Sequence, residues 1–136
     1  MFFRHGFTSF CTAVCIAFLC LSPGSGMPES PFWGMDKLVH AFLFMVLAFQ
    51  MLTFFQKQYS LYVFRLIPVK ATVIISIFYA ALIELFQSSF VVNREGDLLD
   101  LAADVFGLGL GLIAFRLIHG KLNYKLYEKF PSKQKE

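Results

Sequence analysis

Polar and ionisable residues recur at helical spacing in three places along this chain. Asp36, Lys37 and His40 form the first set, Glu84, Gln87 and Ser88 the second, and Asp97, Asp100 and Asp104 the third. Steps of three and four residues put the members of each set on one face of a helix. Arg94 and Glu95 stand just before the third set. Together the carboxylates of Glu84, Asp97, Asp100 and Asp104 and the imidazole of His40 could hold a divalent cation. Oxygen ligands suit magnesium or calcium, and a histidine is compatible with zinc or manganese. With Lys37 and Arg94 neutralising part of the negative charge, the same groups could instead hydrogen-bond a polar lipid or glycan headgroup. A third role is structural, with buried ion pairs joining three helices. None of these has a diagnostic spacing.

The elements that must position these groups follow from composition. Of the 136 residues, 57% are hydrophobic and 15% charged, and 18 are Phe; the mean hydropathy is +0.64. Soluble domains carry about 25% charged residues, and a domain this small has too little interior to hide so much apolar surface. A disordered tail is excluded, a soluble enzyme is disfavoured, and lipid is the natural solvent. A hydrocarbon core of about 30 Å needs roughly 20 apolar residues in a helix. Suitable stretches run from Phe7 to Leu21 (with Phe2 and Phe3 as an extension), from Leu38 to Phe55, from Ala71 to Val92 and from Leu98 to Ile118. The predicted fold is therefore all-α, a four-helix transmembrane bundle. Residues 56–70 form a polar, basic connection, whereas 93–97 is a short turn that makes the last two helices an antiparallel hairpin.

Pro23 and Gly24 close the first stretch. Its basic start and apolar run also fit a secretory signal, but a retained helix is expected. Cys11, Cys15 and Cys20 lie within it and are read as small apolar side chains. Gly107 and Gly111 have the small-xxx-small spacing that lets helices approach closely, with Gly109 between them. The sequence has no Walker loop, HExxH, paired CxxC or nucleophile elbow.

All Lys and Arg residues except Lys37 and Arg94 fall on one side of this topology. By the positive-inside rule that side is cytoplasmic, as are both termini. Residues 1–120 then form the membrane domain and 121–136 a basic cytoplasmic tail, held near anionic lipid rather than nucleic acid. Every acid except Glu128 and Glu136 falls in the outer half. At helical rise, Asp104 lies about 10 Å below Asp97, Glu84 about 13 Å below Asn93, and His40 about one turn below Asp36. Ionisable groups are costly in a bilayer, so the three stripes are expected to face one another and line a pocket open to the outer surface.

These residues also resemble a known family. DKLVHAFLF (Asp36 to Phe44), LIELFQ (Leu82 to Gln87) and NREGDLLDLAADVFGLGLG (Asn93 to Gly111) look like the VanZ-like family of small bacterial membrane proteins. The order is DK-x-x-H, E-x-x-Q and R-x-x-D-x-x-D, then a polar residue and a Gly. The LSPG segment at Leu21 to Gly24 is similar too, and the resemblance covers roughly residues 15 to 115. It implies Asp36, Lys37, His40, Glu84, Gln87, Arg94, Asp97, Asp100, Asp104 and Gly107 as the family positions. The family more usually has Asn where this chain has Asp104, so the cluster here carries an additional acid.

The family's namesake confers low-level teicoplanin resistance. The resemblance implies no more of the chemistry than that; from the outward polar pocket we expect a multi-pass protein of the bacterial cytoplasmic membrane that binds the headgroup of an envelope lipid, such as a cell-wall precursor lipid, or of a lipoglycopeptide. One alternative is a metal-dependent enzyme acting on a lipid-linked phosphate. In that reading His40 or Glu84 is the general acid or base, and Asp97, Asp100 and Asp104 hold the metal. The other alternative is a non-catalytic membrane partner subunit.

Overall fold

A computed structural model describes residues 2–22, 34–57, 62–90 and 97–120. They form α1 (Phe2–Leu21), α2 (Met35–Lys57), α3 (Tyr62–Leu66), α4 (Pro68–Phe90) and α5 (Leu98–His119), with no strand among the described residues. The expected all-α bundle of four long helices is present, with short α3 added in the basic connection. Arg94, the 23–33 connection and the 121–136 tail lie outside the described residues.

The boundaries differ from expectation in ways that local chemistry explains. α2 starts at Met35 rather than Leu38, which puts Asp36 in its first turn, where the partial positive charge of the helix end favours a carboxylate. α4 starts at Pro68 rather than Ala71. Proline costs little at a first helical position, because its missing N–H would have had no partner there. Lys70 therefore lies in α4 and not in the connection.

The core gathers around α2. Ile16 and Cys20 of α1, Phe44, Leu47, Met51 and Phe55 of α2, and Ala71, Ala80 and Ile83 of α4 form one buried cluster. Polar groups within it find partners, as a hydrocarbon surrounding demands. Tyr79 Oη donates to the Ala13 carbonyl at 2.5 Å, Thr12 Oγ1 to Gln50 Oε1 at 2.8 Å, and Thr72 Oγ1 to the Pro68 carbonyl at 2.8 Å.

α2 and α5 make the most extensive helix pair. They run parallel, since Gly107 lies on Ala41 and Gly111 lies on Met45 and Ala48. A methyl group at Gly107 would run into the Ala41 carbonyl, and one at Gly111 into the Met45 carbonyl. Gly109 between them faces open space. The close approach therefore rests on Gly107 and Gly111, the pair at small-xxx-small spacing.

The outer surface is apolar. Phe18, Phe42, Phe78 and Phe106, one from each long helix, are 72%, 59%, 64% and 64% exposed, a surface that water would penalise heavily. α2, α4 and α5 are each long and apolar enough to cross a membrane, while the apolar part of α1 is the shorter stretch Gly6–Leu21. This is a membrane protein in which lipid solvates the outside of the bundle.

The two glycine environments give a paired test. Gly107→Ala is expected to destabilise the protein in detergent by about 1–3 kcal/mol through overpacking. Gly109→Ala should be neutral, or stabilising by up to about 1 kcal/mol through helix propensity. Equal effects of the two substitutions on reversible unfolding would contradict the assigned packing.

Candidate functional site

The N-termini of α2 and α5 and the C-termini of α1 and α4 lie at one end of the bundle. Two helix N-termini there carry partial positive charge, which favours the acids found beside them. Asp36 and Asp100 occupy the first turns of α2 and α5. Asp97 is the N-cap of α5, and its Oδ1 accepts from the Leu99 N–H at 2.8 Å.

Lys37 joins these groups. Its Nζ donates to Asp97 Oδ2 at 2.8 Å, to Asp100 Oδ1 at 3.0 Å and to Asp36 Oδ2 at 3.3 Å. An ammonium has three donors, so this rim network uses its full capacity. The network grades inward, the side chains of Asp36, Asp97 and Asp100 being 50%, 41% and 15% exposed.

One turn deeper, His40 Nδ1 faces Asp104 Oδ1 at 3.0 Å. Their side chains are only 6% and 2% exposed. The other ring nitrogen, Nε2, lies 3.8 Å from Cys20 Sγ. An ionised carboxylate only accepts, so Nδ1 carries the proton toward Asp104, and in the neutral imidazole Nε2 is left as the acceptor facing the thiol. Gln87 Nε2 donates to the Cys20 carbonyl at 2.8 Å and ties α4 to the end of α1. Glu84 Oε1 accepts from the Asp97 backbone N–H, and the buried Oε2 has no hydrogen-bond partner among the described residues.

The stripes thus meet in pairs. Asp36, Lys37, Asp97 and Asp100 form the rim, His40 and Asp104 lie beneath it, and Glu84 reaches the rim through the backbone of Asp97. Gln87 turns instead to α1. Ser88 does not join: it is exposed and donates to the carbonyl of Leu85 in its own helix. Arg94 lies outside the described residues.

Among the described residues, no three His, Cys, Asp or Glu side chains are arranged to hold a metal ion. The cation between Asp97 and Asp100 is the ammonium of Lys37, and His40 and Asp104 are engaged with each other. Cys20 is the member that reading the sequence missed. It lies on another helix, and no spacing links it to His40.

The model of the VanZ/LLP1 family matches residues 4–119. The chain belongs to the VanZ/LLP1 family. No curated protein and no solved structure matches it. The family match spans all four long helices apart from the first two residues of α1. In this VanZ/LLP1 protein the DK and D-x-x-D motifs are two halves of one ionic contact.

That contact makes Asp97 sensitive to acid. The Lys37 hydrogen bond, followed by the Leu99 N–H and the charge of Lys37, holds its carboxyl below the ordinary value of 3.8. A carboxylate with a lowered folded pKa stabilises the fold above its unfolded value, and that stabilisation is lost as pH falls through the folded one. The stability difference between wild type and Asp97→Asn should therefore be fully present at neutral pH and shrink only below 3.8. Unfolding midpoints measured in micelles across this range would check it, and a difference that persists unchanged at the acid end would contradict it.

Proposed function

We propose that the rim formed by Asp36, Lys37, Asp97 and Asp100, with Glu84 behind it, recognises a polar headgroup, that of an envelope lipid such as a cell-wall precursor lipid, or of a lipoglycopeptide. The protein then works in the bacterial cytoplasmic membrane with this end of the bundle outward and both termini in the cytoplasm. The Lys and Arg distribution supports that orientation. Tolerance to teicoplanin is the expected cellular consequence.

The observation that carries this reading is the rim network. Lys37 fixes carboxylates from α2 and α5 in place while Asp36 and Asp97 keep about half of their side-chain surface accessible. Prearranged charged acceptors at a membrane boundary suit a ligand bearing hydroxyl or amino groups, because charge-assisted hydrogen bonds are the strong ones. Glu84 Oε1 holds the Asp97 backbone N–H and so positions this rim, while its buried Oε2 has no hydrogen-bond partner among the described residues. Metal-dependent hydrolysis of a lipid-linked phosphate is less well supported, since Lys37 stands where a metal held by Asp97 and Asp100 would have to sit.

A second reading has an observation of its own. Because Lys37 spends its donors within the bundle, the cluster also fits a purely structural joint in a non-catalytic partner subunit. In that case the glycine face of α5 would matter for function and the rim carboxylates would not.

Cells expressing wild type or Asp100→Asn at equal membrane levels separate the two. Wild type is expected to raise teicoplanin tolerance relative to vancomycin, and the variant to lose the effect. Purified Glu84→Gln and Asp100→Asn should likewise lose binding of teicoplanin in micelles. Unchanged tolerance and unchanged binding in both variants would overturn the headgroup reading.

A further inference from the structure

Beneath the rim lies a constellation that headgroup recognition does not use. Cys20 Sγ, His40 and Asp104 stand in line, with 3.8 Å from sulfur to Nε2 and 3.0 Å from Nδ1 to the carboxylate. A nucleophile within reach of a base, itself oriented by a third group, is the general arrangement for covalent catalysis, and it is recognised by geometry rather than by sequence order. The three residues are 4%, 5% and 1% exposed. A cysteine buried among apolar side chains is inert, and what distinguishes Cys20 is the imidazole on its sulfur.

We propose that Cys20, His40 and Asp104 form a thiol nucleophile site that takes an acyl group from an ester lipid. This goes beyond the headgroup reading and does not depend on it. Three observations point to that substrate class. Cys20 is the penultimate residue of α1 and His40 lies in the second turn of α2, so the thiol and the imidazole that faces it sit within about 10 Å of the helix ends. That depth is where headgroups meet acyl chains, the level of the ester carbonyls in a bilayer. Gln87 contacts the Cys20 carbonyl through one N–H of its amide. Its second N–H is a donor of the kind a developing oxyanion requires.

The step is balanced as follows. His40 Nε2 accepts the proton from Sγ, and the sulfur electron pair attacks the ester carbonyl carbon to form a C–S bond. The tetrahedral intermediate collapses as the C–O bond breaks. The departing alkoxide takes the proton back from the imidazolium, leaving a thioester on Cys20 and a free alcohol. Asp104 holds the imidazole in the required tautomer and offsets its transient charge. No oxidant or reductant is involved, and burial keeps water from the thioester.

Cys11 and Cys15, both exposed on α1, serve as internal references in the same full-length protein. Purified protein in micelles is treated with p-nitrophenyl octanoate, and octanoyl adducts sensitive to hydroxylamine are mapped to each cysteine by mass spectrometry. Cys20 is expected to be acylated faster than Cys11 and Cys15 and to release a stoichiometric burst of nitrophenolate. The burst should vanish in Cys20→Ser and slow by about 100-fold or more in His40→Gln, the usual scale for loss of a general base. If His40→Gln does not fold, the ranking of the three cysteines in wild type still decides the matter. No adduct on Cys20, a Cys20 rate no higher than those of Cys11 and Cys15, or a folded His40→Gln protein reacting at the wild-type rate would each overturn the proposal.

Discussion

The ammonium of Lys37 is the contact on which the rest of this bundle depends. α2 and α5 begin side by side, and each brings carboxylates to its own N-terminus. The helix ends favour those acids individually, but the acids repel one another across the interface. Lys37, bonded to Asp36, Asp97 and Asp100 at once, turns the repulsion into a junction. It also sets the register of the pair. Below the Lys37 contact with Asp97 and Asp100, His40 meets Asp104, Ala41 meets Gly107, and Met45 meets Gly111. A slide of one residue would break the ion pairs and drive side chains into backbone where only glycine fits.

Depth then divides the cluster into two environments. At the rim, exposure allows water or a ligand headgroup to reach Asp36 and Asp97. Beneath it, His40 and Asp104 are enclosed, so each relies on the other. Removing one partner of a buried hydrogen bond typically costs about 1–3 kcal/mol, and more where the group left behind is a carboxylate, because that group is left unsatisfied. Such an expense in a hydrocarbon-solvated protein is the usual mark of a polar group kept for function. α1 is drawn in through Cys20, whose sulfur touches His40 and whose carbonyl is held by Gln87. A helix that hydropathy alone treats as a simple span thus completes the polar centre.

Much of this architecture was legible in the sequence. Hydropathy marked the long helices, because a lipid-solvated bundle advertises itself in composition. The three- and four-residue spacing of Asp36, Lys37 and His40, and of Asp97, Asp100 and Asp104, gave the faces correctly, since an α-helix has a fixed period. The pairing across helices was not legible in the same way. Glu84 and Gln87 lie on one stripe, yet one reaches Asp97 and the other α1. Ser88 satisfies itself within its own helix, as serine commonly does by bonding a preceding carbonyl. Gly109 shares a short glycine run with Gly107 and Gly111, but a two-residue step carries it to the opposite face of the helix, away from the interface. Cys20 was invisible for a different reason: an isolated thiol in an apolar helix has no pattern until the fold sets an imidazole beside it.

A double-mutant cycle on Lys37 and Asp100, read as reversible unfolding in micelles, tests the junction most directly. Lys37→Met and Asp100→Asn are made singly and together, and the coupling energy is taken from the four proteins. A favourable coupling on the order of 1 kcal/mol, the scale of residues sharing one ion-pair network, is expected. Strictly additive effects would mean that Lys37 does not hold α5 to α2, and would contradict the central place given to this contact.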